Sequence, residues 1–348
     1  MQAFAPICFC LKKPEPTQLK TANPKLPTPK QPSLIFAVRM QVHFQTESLP
    51  PFRNAVLTIG TFDGVHQGHQ QIIAALKKEA AAVGGETVII TFHPHPRKIV
   101  YPGVPLQLIN TLEEKVALLE AQGVDHLVVV PFNQDFASLS AEEYITDFLI
   151  RRFHPHTIII GYDHHFGRGR KGNFKLLEEK APLFHYQLVE IPQHLLDAIE
   201  ISSTKIRHAL LGSEVETANK ALGYPFFFTG TVVHGDKLGR TLGYPTANLV
   251  YNDEDKIHLG EGVYAVTTTI ENAVYKGMLS IGTRPTVNDT IEKVEVNLFD
   301  FDREIYGQTV QVTVHHYLRP QERYASLEAL TAQIDQDKRD SVRLLANL

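Results

Sequence analysis

The segment GTFDGVHQGHQ, residues 60–70, places two histidines three residues apart where an apolar run gives way to a helical pattern. A helix that begins near Gly68 would point its free N–H groups and positive dipole end at this junction, which suits a phosphate. His66 and His69 would lie on one face and donate hydrogen bonds to phosphate oxygens while a phosphorus–oxygen bond breaks. Three glycines let the backbone turn sharply and approach a ligand closely: Gly60, Gly64 and Gly68.

Three later segments also follow strands or open helices, and they are expected at the same edge of the sheet. TFHPHPRK (91–98) carries His95 between two prolines, and GYDHHFGRGRKGN (161–173) carries Asp163 ahead of a basic, glycine-rich stretch. ISSTKIRHAL (201–210) offers hydroxyl groups at a helix start and a planar guanidinium one turn later. Its candidate ligand-binding residues are Ser203, Thr204 and Arg207.

A second candidate site lies in VVHGDKLGRTLGYPTANL, residues 232–249. Its glycines make a flexible loop whose two basic residues would meet phosphate: the residues are Gly235, Gly239, Lys237 and Arg240. Thr246 and Asn248 follow at a fixed bend, and their oxygens suit Mg²⁺, which binds oxygen ligands together with substrate phosphates.

Glu295 lies in VEVNLFD, a segment of alternating character. Glu295 and Asn297 would share one face of a strand, and Val296 and Leu298 the other. A carboxylate on an inward face would need a function, such as service of a second phosphate site, and the ordinary alternative is an exposed strand acid paired with a lysine.

The pattern of elements predicts an α/β region followed by a β region. From Met40 to about Gly223, apolar strands alternate with helices, which is typical of a parallel sheet in a Rossmann-like domain. The predicted strands are 55–60, 86–92, 126–132, 156–163 and 184–191. Three helices are predicted to begin with a capping box: Thr111 with Glu114, Ser140 with Glu143, and Ser213 with Glu216.

After Pro225 the runs are short, β-branched or aromatic, and separated by turn residues, which predicts a small antiparallel β-barrel. One helical pattern, SLEALTAQIDQDKRDSVRLLA, closes the chain. We therefore expect two domains, residues 40–222 and 223–348.

Composition narrows the functional classes. The formal net charge of −4 gives no basic excess for binding nucleic acid, and no apolar run is long enough to span a bilayer. Both cysteines, Cys8 and Cys10, lie in residues 1–39, where seven prolines predict disorder. We expect this segment to be a disordered leader or to precede a true start at Met40. The cysteine usage excludes a disulfide scaffold.

Four motifs of the first region together resemble the adenylyltransferase half of bacterial bifunctional riboflavin kinase/FAD synthetases. They are G-x-F-D-G-x-H-x-G-H (60–69), F-x-P-H-P (92–96), G-x-D-x-x-F-G (161–167) and I-S-S-T-x-I-R (201–207). The resemblance implies transfer of AMP from ATP to FMN, with His66 and His69 stabilising the phosphates. It implies that ATP or FMN is bound by Gly60, Phe62, Asp63, Gly64, Gly68, His95, Asp163, Ser203, Thr204 and Arg207. His164 departs from the phenylalanine that is common after the aspartate.

The second region resembles the riboflavin kinase module of the same family, through G-D-x-x-G-R-x-x-G-Y-P-T-A-N, GVYAV, IGTRPTV and E-V-N-L. The resemblance implies that Glu295 is the general base on the ribityl 5′-hydroxyl and that Thr246 and Asn248 handle Mg²⁺ and phosphate. It covers about residues 40–348.

The sequence thus predicts an enzyme that converts riboflavin to FMN and FMN to FAD, with ATP and Mg²⁺ at both steps and no covalent intermediate. We expect a cytoplasmic monomer or weak homo-oligomer whose ligands are small molecules, with no nucleic-acid or membrane partner. One alternative is a monofunctional FAD synthetase, or another nucleotidyltransferase such as a cytidylyl- or pantetheine-type enzyme, with an inactive β domain. Another is a non-catalytic flavin or nucleotide sensor.

Overall fold

Six parallel strands form a sheet in the N-terminal part of the chain. In the computed structural model, which describes residues 39–161, 164–191, 201–235, 238–285 and 290–348, residues 39–348 belong to one compact unit. The strands are β1 (Gln41–His43), β2 (Val56–Ile59), β3 (Thr87–His93), β4 (His126–Pro131), β5 (Thr157–Gly161) and β6 (Gln187–Ile191). They pair in the order β1–β4–β3–β2–β5–β6. The five predicted strands are confirmed, and β1 is an edge strand too short for the pattern to reveal.

The central strands are buried on both faces, which explains why they lack polar alternation. Leu57 and Ile59 of β2 belong to one apolar cluster, whereas Val56 belongs to the cluster on the opposite face. Helices cover both faces, so every residue of β2 is buried.

Within the described residues, the α-helices that accompany the sheet are α1 (Gln67–Val83), α2 (Pro96–Val100), α3 (Leu112–Ala121), α4 (Gln134–Ser138), α5 (Ala141–Glu143), α6 (Arg151–Phe153) and α7 (Phe174–Phe184). A π-helix, Tyr144–Ile150, joins α5 to α6. The predicted capping boxes of α3 and α5 are confirmed, with both reciprocal hydrogen bonds present in each. None of the helices within the described ranges has the length and apolar character needed to cross a bilayer.

Two further helices, α8 (Ser203–Leu211) and α9 (Val215–Leu222), follow the sheet. The capping box predicted at Ser213 is wrong, because α9 begins after Glu214 and has no side-chain cap. Ser213 instead adopts φ of 63° and donates a hydrogen bond from its hydroxyl to the carbonyl of Glu261. The Ser213 hydroxyl is therefore engaged with a residue distant in sequence and does not cap α9.

The C-terminal part is a closed antiparallel barrel, as predicted. Its strands are β7 (Phe227–Val233), β8 (Ala247–Tyr251), β9 (Gly262–Ile270), β10 (Ala273–Pro285), β11 (Thr290–Leu298) and β12 (Thr309–Arg319). They close in the order β10–β11–β8–β7–β12–β9. A short helix, α10 (Leu238–Thr241), precedes β8, and the terminal helix α11 (Leu327–Leu344) packs outside β9, β10 and β12.

The barrel interior and helices α8 and α9 share one hydrophobic core. Leu210 of α8 and Leu222 of α9 are fully buried in the same cluster as Phe228 of β7 and Val312 of β12. Ile109, from the loop before α3, also joins this cluster. The barrel therefore packs against the loops that leave the sheet.

Candidate active sites

The loop between β2 and α1 holds the two histidines as a stacked pair. His66 is the N-cap of α1, and its Nδ1 accepts a hydrogen bond from the backbone N–H of His69 at 3.4 Å. The two rings stack with centroids 3.7 Å apart and planes 15° apart. Gly68 lies beneath the His66 ring, where an added Cβ would come within 3.2 Å of it. The expected shared face is therefore present.

Burial keeps both imidazoles neutral near pH 7. It lowers the pKa of His66 to about 4, against a smaller opposing effect of the Asp63 charge. Burial also lowers the pKa of His69 well below its ordinary value, with further lowering by His66 and Lys115. Because Nδ1 of His66 accepts a hydrogen bond, the proton of its neutral ring resides on Nε2, which is then a donor. The Nδ1 of His69 is buried and has no hydrogen-bond partner among the described residues.

The backbone between these elements is strained. Phe62 has φ of 48°, Gly64 of 89° and Val65 of 35°, so three of four consecutive residues lie in the left-handed region. A β-branched residue such as Val65 rarely adopts this conformation. Strain of this kind persists where surrounding contacts hold it, often at a functional site.

Every backbone carbonyl of residues 61–65 accepts a hydrogen bond. None of these carbonyls is therefore left unpaired to repel a phosphate. The acceptors and their donors are Thr61 with Lys115 Nζ (2.7 Å) and Thr91 Oγ1 (3.1 Å), Phe62 with Val65 N (3.2 Å), Asp63 with Ser203 Oγ (2.8 Å), Gly64 with Tyr224 OH (2.6 Å), and Val65 with Gln70 Nε2 (2.9 Å). These donors come from β3, α1, α3, α8 and the segment before β7, except the N–H of Val65, which belongs to the loop itself.

Asp63 connects the loop to two other elements. Its buried carboxylate accepts a hydrogen bond from the Arg207 guanidinium at 2.7 Å and from the backbone N–H groups of Ile109 and Asn110 at 2.9 and 3.3 Å. Ser203, which donates to the Asp63 carbonyl, lies on the same helix as Arg207. The structure thus brings together Asp63, Ser203 and Arg207, and binds them to one another.

The other predicted residues of this site lie as follows. His95 is the N-cap of α2, and its Nδ1 accepts from the Arg97 N–H at 3.1 Å. Burial lowers the pKa of His95 to about 4, and the nearby charges of Asp63, Lys115 and Arg207 also act on it. Thr204 is exposed in the first turn of α8. Asp163 lies outside the described residues, and the ring of His164 stands 5.8 Å from that of Phe166.

Lys115 belongs to this site but was not found from the sequence. It lies in α3 directly after two glutamates, and a lysine in such a segment normally faces solvent. In the fold it is 6% exposed, and burial lowers its pKa. The buried charge beside Thr61 would neutralise phosphate at the loop.

Glu295 lies on the outside of the barrel, so of the two alternatives the inward position is wrong. Val294, Val296 and Leu298 point into the barrel core, and Glu295 and Asn297 therefore face outward. The shared face of Glu295 and Asn297 was predicted, but alternation does not say which face is interior. Apolar side chains fill the barrel, and the carboxylate faces the groove beneath α11.

This groove contains a cavity of about 210 Å³. It is lined by residues of the barrel, of the loop before β8 and of α11: among them Thr246, Met278, Glu295, Asn297, Tyr324 and Ile334. A second cavity, of about 410 Å³, lies between Arg240, Val296 and the segment 301–306, and Thr246 lines it as well. Thr246 therefore stands at the boundary between the two spaces.

The residues around Thr246 are fixed by close backbone contacts. Asn248 pairs in register with Glu295 of β11 on one side and Val233 of β7 on the other. A Cβ on Gly235 would lie 2.1 Å from the Asn248 amide, and one on Gly239 would lie 2.3 Å from the Tyr244 carbonyl. Both glycines are thus required for close packing around the bend. Arg240 is exposed on α10, and Lys237 lies outside the described residues.

Two contacts of the groove were not found from the sequence. Arg319 donates to both carboxylate oxygens of Asp337 in α11, at 2.9 and 2.7 Å. The Tyr244 hydroxyl donates to Asp335 of the same helix, which raises the pKa of Tyr244 to about 12. Both contacts attach α11 to the barrel, across sequence separations that no local pattern reveals.

Among the described residues, no cluster of three or more His, Cys, Asp or Glu side chains is placed to hold a metal ion. Thr246 and Asn248 instead offer neutral oxygens, which suit a Mg²⁺ ion whose other ligands are phosphate oxygens and water.

Comparison with known proteins connects both sites to flavin metabolism. A family model described as FAD synthetase matches residues 50–205, and one described as riboflavin kinase matches residues 222–345. A protein from Bacillus subtilis named bifunctional riboflavin kinase/FMN adenylyltransferase is 37% identical over 302 residues, which cover 84% of this chain and 93% of that protein. The chain belongs to this bifunctional family.

Other members are comparably similar. The protein of the same name from Escherichia coli K12 is 35% identical to this chain over 292 residues, which cover 84% of this chain and 93% of that protein. The Pseudomonas fluorescens protein is 39% identical over 291 residues, covering 83% and 92%. The two family-model matches include strands β2 to β12 and the loops that carry His66 and Thr246.

A solved structure shares the fold. The crystal structure described as a macrolide-efflux protein from Streptococcus pneumoniae superposes with a TM-score of 0.78 at 31% identity, covering 87% of this chain and 99% of that one. The likeness therefore extends over the sheet and the barrel together.

Proposed function

We propose that this chain makes FAD in two ATP-dependent steps, as riboflavin kinase at the barrel and as FMN adenylyltransferase at the sheet. Residues 223–348 would carry the first activity and residues 40–222 the second. The observation that carries the proposal is the presence of two separate sets of phosphate-compatible groups. One set surrounds His66 at the start of α1, and the other surrounds Glu295 and Thr246 outside the barrel.

At the barrel, Glu295 accepts the proton of the ribityl 5′-hydroxyl. The hydroxyl oxygen forms a bond to the γ-phosphorus of ATP while the bond from that phosphorus to the ADP oxygen breaks. Phosphoryl transfer needs alignment and charge neutralisation more than covalent help, and one positioned carboxylate is enough to receive the proton. Riboflavin would occupy the cavity beside Glu295, and ATP phosphates the cavity beside Arg240, so that the groups react at Thr246.

We propose Mg²⁺ as the metal of the kinase site, with Thr246 and Asn248 as its protein ligands. When bound, the ion neutralises charge on the phosphates. The register between Asn248 and Glu295 keeps these ligands beside the base. Gly235 and Gly239 allow the backbone to pack against them, and Lys237 and Arg240 would bind phosphate.

At the sheet, a phosphate oxygen of FMN attacks the α-phosphorus of ATP, and the bond to pyrophosphate breaks. Neutral His66 donates from Nε2, and His69 donates from the stacked ring. Lys115 and Arg207 supply positive charge, and Asp63 holds Arg207 in place. Thr204 would contact ATP from the exposed first turn of α8, and His95 and Asp163 would also contact ATP. The transfer is direct, without a covalent enzyme intermediate.

We further propose that the chain acts in the cytoplasm as a monomer or weak homo-oligomer, with small molecules as its ligands. Size-exclusion chromatography with light scattering would measure the oligomeric state.

Incubation with riboflavin, ATP and Mg²⁺, followed by chromatographic separation of the flavins, tests the proposed function. FMN and FAD are the expected products, and a sample without Mg²⁺ is the control. FAD from added FMN alone would indicate an inactive barrel, and no new flavin would indicate a sensor. Either result contradicts the two-step assignment.

A further inference from the structure

Lys256 is a buried cation that neither proposed reaction uses. It lies in the segment between β8 and β9 and is 1% exposed. Its ammonium group donates three hydrogen bonds, to the Glu114 carboxylate and to the carbonyls of Ile109 and Phe227, the last two at 2.7 Å. All three donors of a lysine are thus satisfied. The ring centroid of Phe226 lies 4.6 Å from the ammonium.

Such an arrangement does not by itself indicate stability. Removing two charges from water costs several kcal/mol per ion, so that apolar replacements of a buried pair are often as stable. The position of the partners is more informative. Phe227 opens the barrel, whereas Ile109 and Glu114 belong to the sheet region, 147 and 142 residues away from Lys256 along the chain.

The contact at Ile109 leads directly to the adenylyl-transfer loop. The carbonyl of Ile109 accepts from Lys256, and its N–H donates to Asp63 at 2.9 Å. Asp63 in turn holds Arg207 at 2.7 Å. Lys256, the backbone of Ile109 and Asp63 therefore form a continuous chain of hydrogen bonds that ends at a proposed ATP-binding side chain.

The contact at Glu114 leads to the other side of the same loop. Glu114 also accepts from the N–H of Thr111 in the α3 capping box, so that Lys256 fixes the start of α3. The next residue, Lys115, donates to the Thr61 carbonyl. Both ends of segment 109–115 thus form hydrogen bonds to the strained loop, at Asp63 and at Thr61. Lys256 is bonded to the same segment near both ends, at Ile109 and at Glu114.

We propose that Lys256 is a positioning residue for adenylyl transfer, supplied by the barrel side of the chain to the active site of the sheet. It does not touch substrate. It fixes the segment 109–115, and through it Asp63, Arg207 and Thr61. The inference rests on the proposed function of the sheet site.

Three variants of the full chain separate positioning from stability. Lys256→Met removes the donors and leaves Glu114 buried without its cation. Adding Glu114→Gln to Lys256→Met removes that stranded charge and keeps a residue that the capping box accepts. Asp255→Asn is the matched control. Asp255 directly precedes Lys256, and the substitution breaks its ion pair with Lys98 without removing a contact of the Ile109 backbone.

The measurements are kcat and KM for FAD formation from FMN, kcat for FMN formation from riboflavin, and Tm. We expect Lys256→Met to lower Tm and to reduce kcat for FAD formation about 10- to 100-fold, since small misplacements of binding groups have effects of this size. The kinase kcat should stay within about twofold. The double variant should regain Tm and keep the adenylyl-transfer defect, because Ile109 still lacks its donor. Asp255→Asn should retain both activities.

Recovery of FAD formation together with Tm in the double variant would overturn the proposal, because Lys256 would then only stabilise the fold. A parallel loss of kinase activity, or unchanged FAD formation in Lys256→Met, would also overturn it. If Lys256→Met does not fold, the double variant carries the same test. An unaltered chain that makes FMN but no FAD would contradict the function of the sheet site itself, which is distinguishable from all of these results.

Discussion

Glu295 lies between Asn248 and Ser280, its cross-strand neighbours on β8 and β10. Outward-facing strand acids usually remain in solvent, but Glu295 is half-buried and lines the groove beneath α11. The carboxylate is thus held by the sheet and shielded by a helix. This position suits a base that must meet one hydroxyl group repeatedly.

We predict that Glu295→Gln abolishes most FMN formation and leaves FAD formation from supplied FMN intact. The amide keeps the shape of the side chain but accepts no proton, and loss of a general base typically costs about 10²- to 10⁴-fold. Initial rates of both reactions, measured on one preparation, check this.

Glu292→Gln is the control for Glu295→Gln. Glu292 lies on the same strand, three residues earlier, and pairs with His258 at 2.7 Å. It should retain kinase activity. If both variants lost kinase activity equally, the general-base role of Glu295 would be wrong.

His66 gives a prediction on pH. Its pKa is about 4 in the fold, against an ordinary value of 6.5 in the unfolded chain. The unfolded state therefore binds more protons between these values, and stability falls as the pH drops through that window. This one group lowers the free energy of unfolding by about 2 kcal/mol at pH 5 relative to pH 7.

We expect His66→Asn to reduce the loss of stability between pH 7 and pH 5. Asparagine does not titrate here, and it is a good N-cap that can accept the His69 N–H. Urea unfolding at pH 7 and pH 5 would measure the difference. His185→Asn is the control, at an exposed helix end with φ of 58° that asparagine tolerates. An equal pH dependence of the parent and His66→Asn would contradict the prediction.

At the scale of elements, the loop between β2 and α1 depends on its backbone conformation. Gly64 has φ of 89°, and an added Cβ would lie 3.0 Å from the Ile109 side chain. Gly64→Ala should therefore lower the free energy of unfolding by more than the roughly 1 kcal/mol that an alanine in the left-handed conformation costs. FAD formation should fall, because the loop shifts, whereas FMN formation should persist.

Gly84→Ala is the control that separates the effect of the left-handed conformation from the effect of the contact with Ile109. Gly84 has φ of 58° at the C-terminus of α1, with nothing within 4 Å of an added Cβ. It should lower Tm without changing either activity per folded chain. Equal losses of FAD formation in the two variants, measured with Tm, would show that the contact at Ile109 is unimportant.

Local patterns predict the elements because local forces form them. Thr111 and Glu114 cap α3 through contacts three residues apart, and the apolar runs of β2 to β5 are buried. Ser213 shows the limit of this reasoning, since its hydroxyl donates to Glu261 across the chain. The outward direction of Glu295 was unpredictable for a similar reason, because it depends on how the whole barrel closes.

At the scale of the whole molecule, the parts of the sites that sequence reasoning missed are those made by distant pairs. Lys115 resembles an ordinary surface lysine until α3 packs beneath the loop, and Lys256 meets Glu114 across 142 residues. Motif residues such as His66 and Asp63 were found because their spacing is local. Lys115 and Lys256 were not found, because only the packing of segments distant in sequence brings them to the loop.

The two proposed sites belong to different elements, one at the start of α1 and the other outside β11. An equimolar mixture of Glu295→Gln and His66→Ala chains should therefore convert riboflavin to FAD, since each chain retains one site and FMN diffuses between them. His66→Ala alone should accumulate FMN, and Glu295→Gln alone should leave most of the riboflavin unconverted. Chromatography of the flavins over time would measure all three. The rate in the mixture should rise with protein concentration until diffusion of FMN no longer limits it. If each variant performed its own step on supplied substrate but the mixture made no FAD, FMN would have to pass between the sites of a single chain.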